Sequence, residues 1–138
     1  MKYEAPEALK NLVDLKAITI NSFQVAIDGF KKSDKITLGK DTKLILLTQA
    51  SLIECELLNE NEKEPIYLIN KMALEARNKL LSTEEYTNKN YLNQSATLRL
   101  KNVTITPFSN PQAKINLPVL NLFTDQILGV SFGSYSQK

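Results

Sequence analysis

The feature that most constrains the fold is a pair of apolar runs in residues 43–58, separated by a short polar break. The second run places Ile53, Cys55 and Leu57 alternately with two glutamates. Alternation with a period of two is typical of a strand that has one solvated face. Because the two runs follow each other so closely, they predict an antiparallel β-hairpin over residues 43–58.

The last third of the chain, residues 97–132, has the same β character. Residues 96–105 alternate, residues 116–123 resume an extended pattern, and residues 127–132 follow after a tight turn at Thr124-Asp125-Gln126. A glycine inside the last of these segments is typical of strong curvature or of close backbone approach. We therefore expect C-terminal strands that belong to a small, curved sheet.

Two segments predict helices. Pro6–Lys16 has a proline at a first-turn position and apolar residues at helical spacing, which indicates an N-terminal amphipathic helix. Pro65–Leu81 repeats this pattern between the two β regions. Its apolar positions recur every three or four residues, and we expect that face to pack against the sheet or against a partner: Ile66, Ile69, Ala73, Ala76 and Leu80.

Residues 17–30 are open to two interpretations. The stretch is rich in β-branched residues and alternates twice, with a change of phase at Asn21-Ser22 that would require a bend or bulge in a strand. The spacing of Phe23, Ile27 and Phe30 fits a helix instead. The sequence alone does not decide between strand and helix here.

Composition limits the function. The 138 residues correspond to a single domain, at roughly 100–200 residues per domain. The chain has no histidine and one cysteine, so a histidine-based catalytic site or a cysteine-rich zinc site within one chain is excluded. The four glycines lack the spacing of a phosphate-binding loop. We therefore expect no catalytic residues, no cofactor and no metal, and we predict that the protein is not an enzyme.

Three small groups of polar residues could form sites. Lys31, Lys32 and Lys35 form a basic cluster that could contact a partner or a phosphate backbone, although a solvated loop is the simpler interpretation. Glu54 and Glu56 lie on one face of a predicted strand, where two carboxylates could serve acid–base chemistry or hold a metal, although a solvated surface is again the simpler interpretation. Asp125 and Cys55 are expected to be a turn residue and a buried thiol, respectively. Only the three lysines are kept as a possible partner-binding site.

Net charge and apolar runs bear on the cellular partners. The 17 basic residues exceed the 15 acidic ones by only two, and two of the basic residues are arginine, so nucleic acid is a weakly supported partner. No apolar run approaches the roughly 18 residues of a membrane span, and no signal-peptide pattern opens the sequence. We therefore expect a cytoplasmic protein without a membrane partner.

Taken in order, the β segments resemble the Sm-like family of small barrels. Residues 43–48 and 51–58 resemble its first long hairpin, Thr97–Val103 its third strand, and Val119–Phe123 with Ile127–Phe132 its closing pair. The resemblance implies an N-terminal helix followed by a strongly bent, five-stranded antiparallel sheet or barrel. The helix predicted over Pro65–Leu81 departs from the family as an insertion between strands, so the expected fold class is α+β. The resemblance also implies assembly of subunits through strand edges.

The RNA contacts of the Sm-like family would fall on residues that do not match. The asparagine of its RNA pocket corresponds to Thr97, and its arginine–glycine turn corresponds to Thr124-Asp125. We therefore expect a non-enzymatic interaction or assembly module that self-associates or binds a protein partner through strand edges and an amphipathic helix. The alternative is an Sm-like RNA-binding protein that works as an oligomeric ring.

Overall fold

The computed structural model describes residues 14–32, 41–59, 61–87, 89 and 96–133. These residues group into two compact units. The sheet unit comprises 15–32, 41–58 and 96–133, and the helical unit comprises 14, 59, 61–87 and 89. The single domain predicted for residues 1–138 stays a prediction, and the predicted helix over Pro6–Lys16 lies mostly outside the described residues.

The described residues form an α+β fold, as the sequence predicted. The helices are α1 (Leu15–Lys31), α2 (Pro65–Leu81) and the short α3 (Glu84–Thr87), and a 3₁₀ turn covers Thr124–Gln126. The strands are β1 (Lys43–Leu47), β2 (Ser51–Leu57), β3 (Thr97–Pro107), β4 (Ile115–Phe123) and β5 (Gly129–Gly133). They form one antiparallel sheet in the order β4-β3-β2-β1-β5.

The predicted hairpin over residues 43–58 is confirmed as β1 and β2. Leu44 pairs with Cys55 and Leu46 with Ile53, so the buried residues of both strands lie on one face. The turn needs no glycine because the Thr48 side chain organises it. Its Oγ1 accepts hydrogen bonds from the backbone N–H groups of Ala50 at 3.3 Å and Ser51 at 3.1 Å.

For residues 17–27 the strand interpretation is wrong and the helical alternative is correct, because α1 spans Leu15–Lys31. Ile20 and Ile27 are buried seven positions apart, which is two helical turns. The Phe23 ring lies 6.2 Å from the Phe132 ring, and Gln24 accepts a hydrogen bond from the backbone N–H of Leu57 at 3.0 Å. Burial against the sheet therefore overrides the local β preference of this stretch.

A bulge in β3 bends the sheet. Glu54 pairs with Thr104, whereas Glu56 pairs with Lys101, so β3 holds one extra residue opposite β2. Asn102 lies at this step with φ of 51°, a left-handed conformation that asparagine tolerates better than most residues. The buried positions of β3 change phase there, from Leu100 to Val103. Such an extra residue increases bending and twist, which curves the sheet around its core.

The sheet is not closed into a barrel, so that part of the predicted fold is wrong. β5 pairs with β1, and β4 pairs with β3. The connection between them is held at both ends: the Thr124 N–H donates to the Ala96 carbonyl at 2.9 Å, and the Leu128 N–H donates to the Leu47 carbonyl at 2.7 Å. These bonds carry the chain across the end of the sheet, and in the described residues β4 and β5 remain its two edges.

One core lies between α1 and the concave part of the sheet. It combines α1 residues with residues from β1, β2, β3 and the turn before β5. Its buried members are Ile20, Ile27, Leu44, Leu46, Ile53, Cys55, Leu98, Leu100, Val103 and Ile127. The core therefore fixes the position of α1 against the sheet and, with it, the surroundings of the β5 edge.

The predicted helix over Pro65–Leu81 is confirmed as α2. It begins with a proline in its first turn, after Glu64 in an extended conformation with φ of −66° and ψ of 143°. It ends at Ser82, whose N–H donates to the carbonyls of Asn78 at 3.1 Å and Lys79 at 3.2 Å. Apolar residues at helical spacing, together with Pro65 in the first turn, were sufficient to predict this helix correctly.

Candidate interaction surfaces

The two edge strands of the sheet carry no charged side chain. β4 has the sequence Ile-Asn-Leu-Pro-Val-Leu-Asn-Leu-Phe, and β5 has the sequence Gly-Val-Ser-Phe-Gly. Natural edge strands usually carry lysine, proline or other features that block pairing with a further strand. Pro118 is the one such residue on β4, and β5 has none. Among the described residues, no further strand pairs with β5 or with the part of β4 after Pro118.

A small apolar groove borders β5 on the side of α1. It has a volume of about 260 Å³ and is lined mainly by apolar side chains. The lining residues are Leu15, Lys16, Thr19, Ile20, Ile127, Leu128, Gly129 and Val130. Sites for drug-sized ligands usually measure about 300–1,000 Å³. The groove is smaller, and its size suits one or two inserted side chains.

Lys16 fixes the mouth of this groove. Its Nζ donates to the backbone carbonyl of Ile127 at 2.7 Å and to that of Thr124 at 3.3 Å. These bonds join the start of α1 to the 3₁₀ turn before β5, so the ammonium neutralises carbonyl dipoles at the end of that turn. Leu15 and Leu128 remain 75% and 70% exposed beside it. A fixed apolar rim therefore lies next to β5, an edge strand of the sheet that the described residues form.

The helical unit carries a second apolar surface, which we call the α2 seam. It consists of Ile66, Ile69, Ala73, Ala76 and Leu80. All five are exposed, with Ile69 at 63%. Burial on α2 falls on a different face, at Tyr67 and, in part, at Leu74. The seam is exposed, and its predicted packing against the sheet or against a partner stays a prediction.

The three lysines predicted as a partner site are only partly described. Lys31 and Lys32 are exposed at the C-terminal end of α1, where positive charge is favourable next to the helix dipole. The Lys32 N–H donates to the Gly29 carbonyl at 3.2 Å. Lys35 lies outside the described residues. The lysine site therefore stays a prediction.

Two of the other polar candidates, Glu56 and Cys55, have surroundings that favour a structural role. Glu56 accepts a hydrogen bond from the Asn102 side-chain amide at 2.7 Å, which joins the two sides of the bulge. Cys55 is fully buried, as predicted, and burial together with the nearby Glu56 carboxylate raises its thiol pKa from 9.0 to about 12. Such a thiol is inert near neutral pH. Within the described ranges, no cluster of three or more His, Cys, Asp or Glu residues could hold a metal ion.

Sequence reasoning missed Asn102 and Lys16. The signal for Asn102 was present, because two polar residues in succession interrupt an alternating strand between Leu100 and Val103. No comparable signal existed for Lys16, whose hydrogen-bond acceptors lie more than one hundred residues away in the chain. Long-range backbone acceptors of this kind become visible only in the folded structure.

Comparisons with known proteins identify no relative. No family model matches the chain, no curated protein matches it, and no solved structure matches it. In the part of the chain that the structure describes, no helix has both the length and the apolar character needed to cross a membrane.

Proposed function

We propose that the protein is a non-enzymatic, cytoplasmic module that associates through the open edges of its sheet, with the α2 seam as a second contact surface. The observation that carries this proposal is the absence of charged side chains from both β4 and β5. An uncharged edge strand presents backbone donors and acceptors to any strand that approaches it. Strand addition is a common way in which such an edge binds another chain.

The β5 edge and its groove form the central part of this surface. In strand addition, main-chain hydrogen bonds supply affinity, and pockets for alternate side chains supply specificity. The groove lies beside β5 and is large enough for a side chain of the added strand. β4 of a second copy fits this role, because the stretch after Pro118 matches β5 in length.

Pairing of β4 with β5 would join two different surfaces. Such heterologous contacts close into rings when the rotation allows it and otherwise produce filaments. The Sm-like family is our proposal for the wider relationship. It is supported by a helix that precedes a bent, five-stranded antiparallel sheet. A sheet that is not closed into a barrel speaks against it.

The test is the native mass of the protein as a function of concentration, measured by sedimentation. The test variant is Ser131→Lys, which places a charge on the β5 edge. The matched control is Ser109→Lys, at an exposed loop position. The proposal predicts that wild type and the control form oligomers. In Ser131→Lys, the protein concentration at which half of the chains are oligomeric should rise at least tenfold. A wild-type protein that stays monomeric at all concentrations would refute self-association.

RNA binding by an oligomer is the second candidate function. It is favoured by the adjacent exposed cations Lys31 and Lys32, which an oligomer would repeat around its surface. Each phosphate contact with a single strand changes the slope of log affinity against log salt by about 0.7. Sub-micromolar binding of single-stranded RNA, with a steep salt dependence that Lys31→Ala and Lys32→Ala remove, would favour this candidate.

A further inference from the structure

We propose that the α2 seam binds one amphipathic helix of a protein partner, and that this helix carries acidic residues beside its apolar stripe. The inference deepens the proposed function and depends on it, because it names the partner class for the second contact surface. The argument uses the spacing of the seam, its exposure and the charges at its two sides.

The exposed apolar surface of α2 is continuous. At 100° per residue, the seam positions and Met72 fall on adjoining parts of one helix face. Ile69 is 63% exposed, Met72 67% and Leu80 53%. Isolated exposed apolar residues are common on protein surfaces, whereas a contiguous stripe of them marks an interaction site.

The spacing of the seam suits a second helix. Its residues follow one another at intervals of three, four, three and four, which is the pattern of a coiled-coil interface. Ala73 and Ala76 lie at its centre, so another helix can approach the backbone closely there. Ile66 to Leu80 spans about 21 Å at 1.5 Å per residue, which is two heptads of contact.

The charges beside the seam favour an acidic partner. Arg77 lies along one side of the seam and Lys79 along the other, and the acidic Glu75, one turn before Lys79, lies farther from the seam. The Arg77 guanidinium donates from Nε and Nη2 to Asn78 Oδ1 at 3.2 Å and 3.1 Å, and its remaining N–H groups are not part of these two bonds. Acidic residues that flank the partner's stripe would complement both cations, as in coiled-coil pairing.

A second copy of the chain offers no such complement. The two flanking rows of α2 contain no acid: one holds Asn70 and Arg77, and the other holds Met72 and Lys79. In either a parallel or an antiparallel pair, these rows would face each other without a carboxylate. A membrane surface is also a poorer match, because interfacial helices usually insert bulky Trp, Phe and Leu side chains, whereas the centre of the seam is alanine.

The experiment titrates the full-length protein with two synthetic helical peptides of about 21 residues that share one Leu/Ile stripe. One peptide has glutamate at the flanking positions and the other has lysine. The proposal predicts that the glutamate peptide binds at least tenfold more tightly at low salt. Ile69→Asp should lose this binding at least tenfold, and the matched variant Ile18→Asp, at an exposed position of α1, should not change it. Circular dichroism verifies that each variant is folded.

Charge reversal sharpens the test. The double variant Arg77→Glu with Lys79→Glu should prefer the lysine peptide. Equal binding of both peptides, or binding of neither, would refute the proposal. So would seam-dependent binding to vesicles of mixed neutral and anionic lipid without peptide binding, which would assign the seam to a membrane. An oligomer that Ile69→Asp dissociates, again without peptide binding, would assign the seam to a second copy.

Failure of this inference is distinguishable from failure of edge association. Ser131→Lys should bind the glutamate peptide as wild type does, because it lies on β5 and not on α2. If edge association fails, the wild-type mass stays constant while peptide binding persists. If only the seam inference fails, the mass still depends on concentration and on Ser131, while the peptide preference is absent.

Discussion

The two long helices, α1 and α2, have the same length of 17 residues and opposite surroundings. α1 buries Ile20 and Ile27 in the core of the sheet unit, and Ile20 is only 1% exposed. α2 leaves Ile69 and Leu80 largely exposed. An amphipathic pattern therefore indicates that one face of the helix is favourably buried. It does not show whether that face packs on the same chain or on another molecule.

The largest expected effect comes from a charge placed in the core that α1 covers. Cys55→Asp would put a carboxylate at a position with no exposed surface. We expect it to destabilise the fold by more than about 4 kcal/mol, measured by urea unfolding, because an unpaired buried charge is very unfavourable. Cys55→Ala is the control that removes the thiol without adding charge. A Cys55→Asp protein as stable as this control would contradict the assigned core.

A matched pair of alanine substitutions compares the two helices directly. Ile20→Ala should lower the free energy of unfolding by about 2–5 kcal/mol, since it leaves a cavity in a packed core. Ile69→Ala should change it by no more than about 0.5 kcal/mol, because the side chain is mostly solvated already. Equal losses at the two positions, measured by urea unfolding of dilute protein, would remove the distinction between α1 and α2.

Because the Cys55 thiol is buried, its titration should make the stability of the fold depend on pH, which the titration of an exposed thiol would not do. The pKa of Cys55 is raised from 9.0 to about 12, so below pH 9 both the native and the unfolded chain hold the proton. Between pH 9 and the native pKa only the unfolded chain releases it, and stability should fall by about 1.4 kcal/mol per pH unit.

Urea unfolding of wild type and Cys55→Ala at several pH values isolates this contribution. The stability of wild type relative to Cys55→Ala should decline above pH 9. The other alkaline titrations are common to both proteins and cancel in the difference. A difference that stays constant up to pH 11 would show that the thiol is not shielded from solvent in the native state.

A smaller effect is expected at Thr106, which is 3% exposed on β3. Its Oγ1 is buried and has no hydrogen-bond partner among the described residues. Thr106→Val should therefore raise the free energy of unfolding by about 1 kcal/mol, because it removes a buried hydroxyl without a partner. Lower stability of this variant in urea unfolding would show that the hydroxyl is hydrogen-bonded in solution.

Local signals account for the parts of the fold that the sequence predicted. The hairpin at residues 43–58, the helix at Pro65–Leu81 and the turn at Thr124–Gln126 each depend on short-range periodicity, proline placement or turn chemistry. The strand interpretation of residues 17–27 was wrong because the burial of Ile20 and Ile27 in the core outweighed the local β preference of this stretch. The sequence pattern of these residues fits both a strand and a helix, so it does not show how they pack in the folded protein.

The candidate surfaces were harder to predict than the elements that carry them. The apolar residues of α2 were correctly identified, but nothing in their spacing shows whether the chain itself covers them. The groove next to β5 combines Leu15 with Leu128, which come together only because α1 crosses the sheet. The absence of charge from β4 and β5 was readable in the sequence, whereas their places at the two edges required the strand order.

The central claim is that the uncharged sheet edges bind a further strand, and amide hydrogen exchange of β5 at two protein concentrations tests it most directly. The account predicts that residues 129–133 exchange more slowly at high concentration. Amides of β2, which is paired on both sides within the chain, should exchange at the same rate at both concentrations. Exchange of β5 that does not depend on concentration, in a protein whose native mass does increase, would contradict the claim.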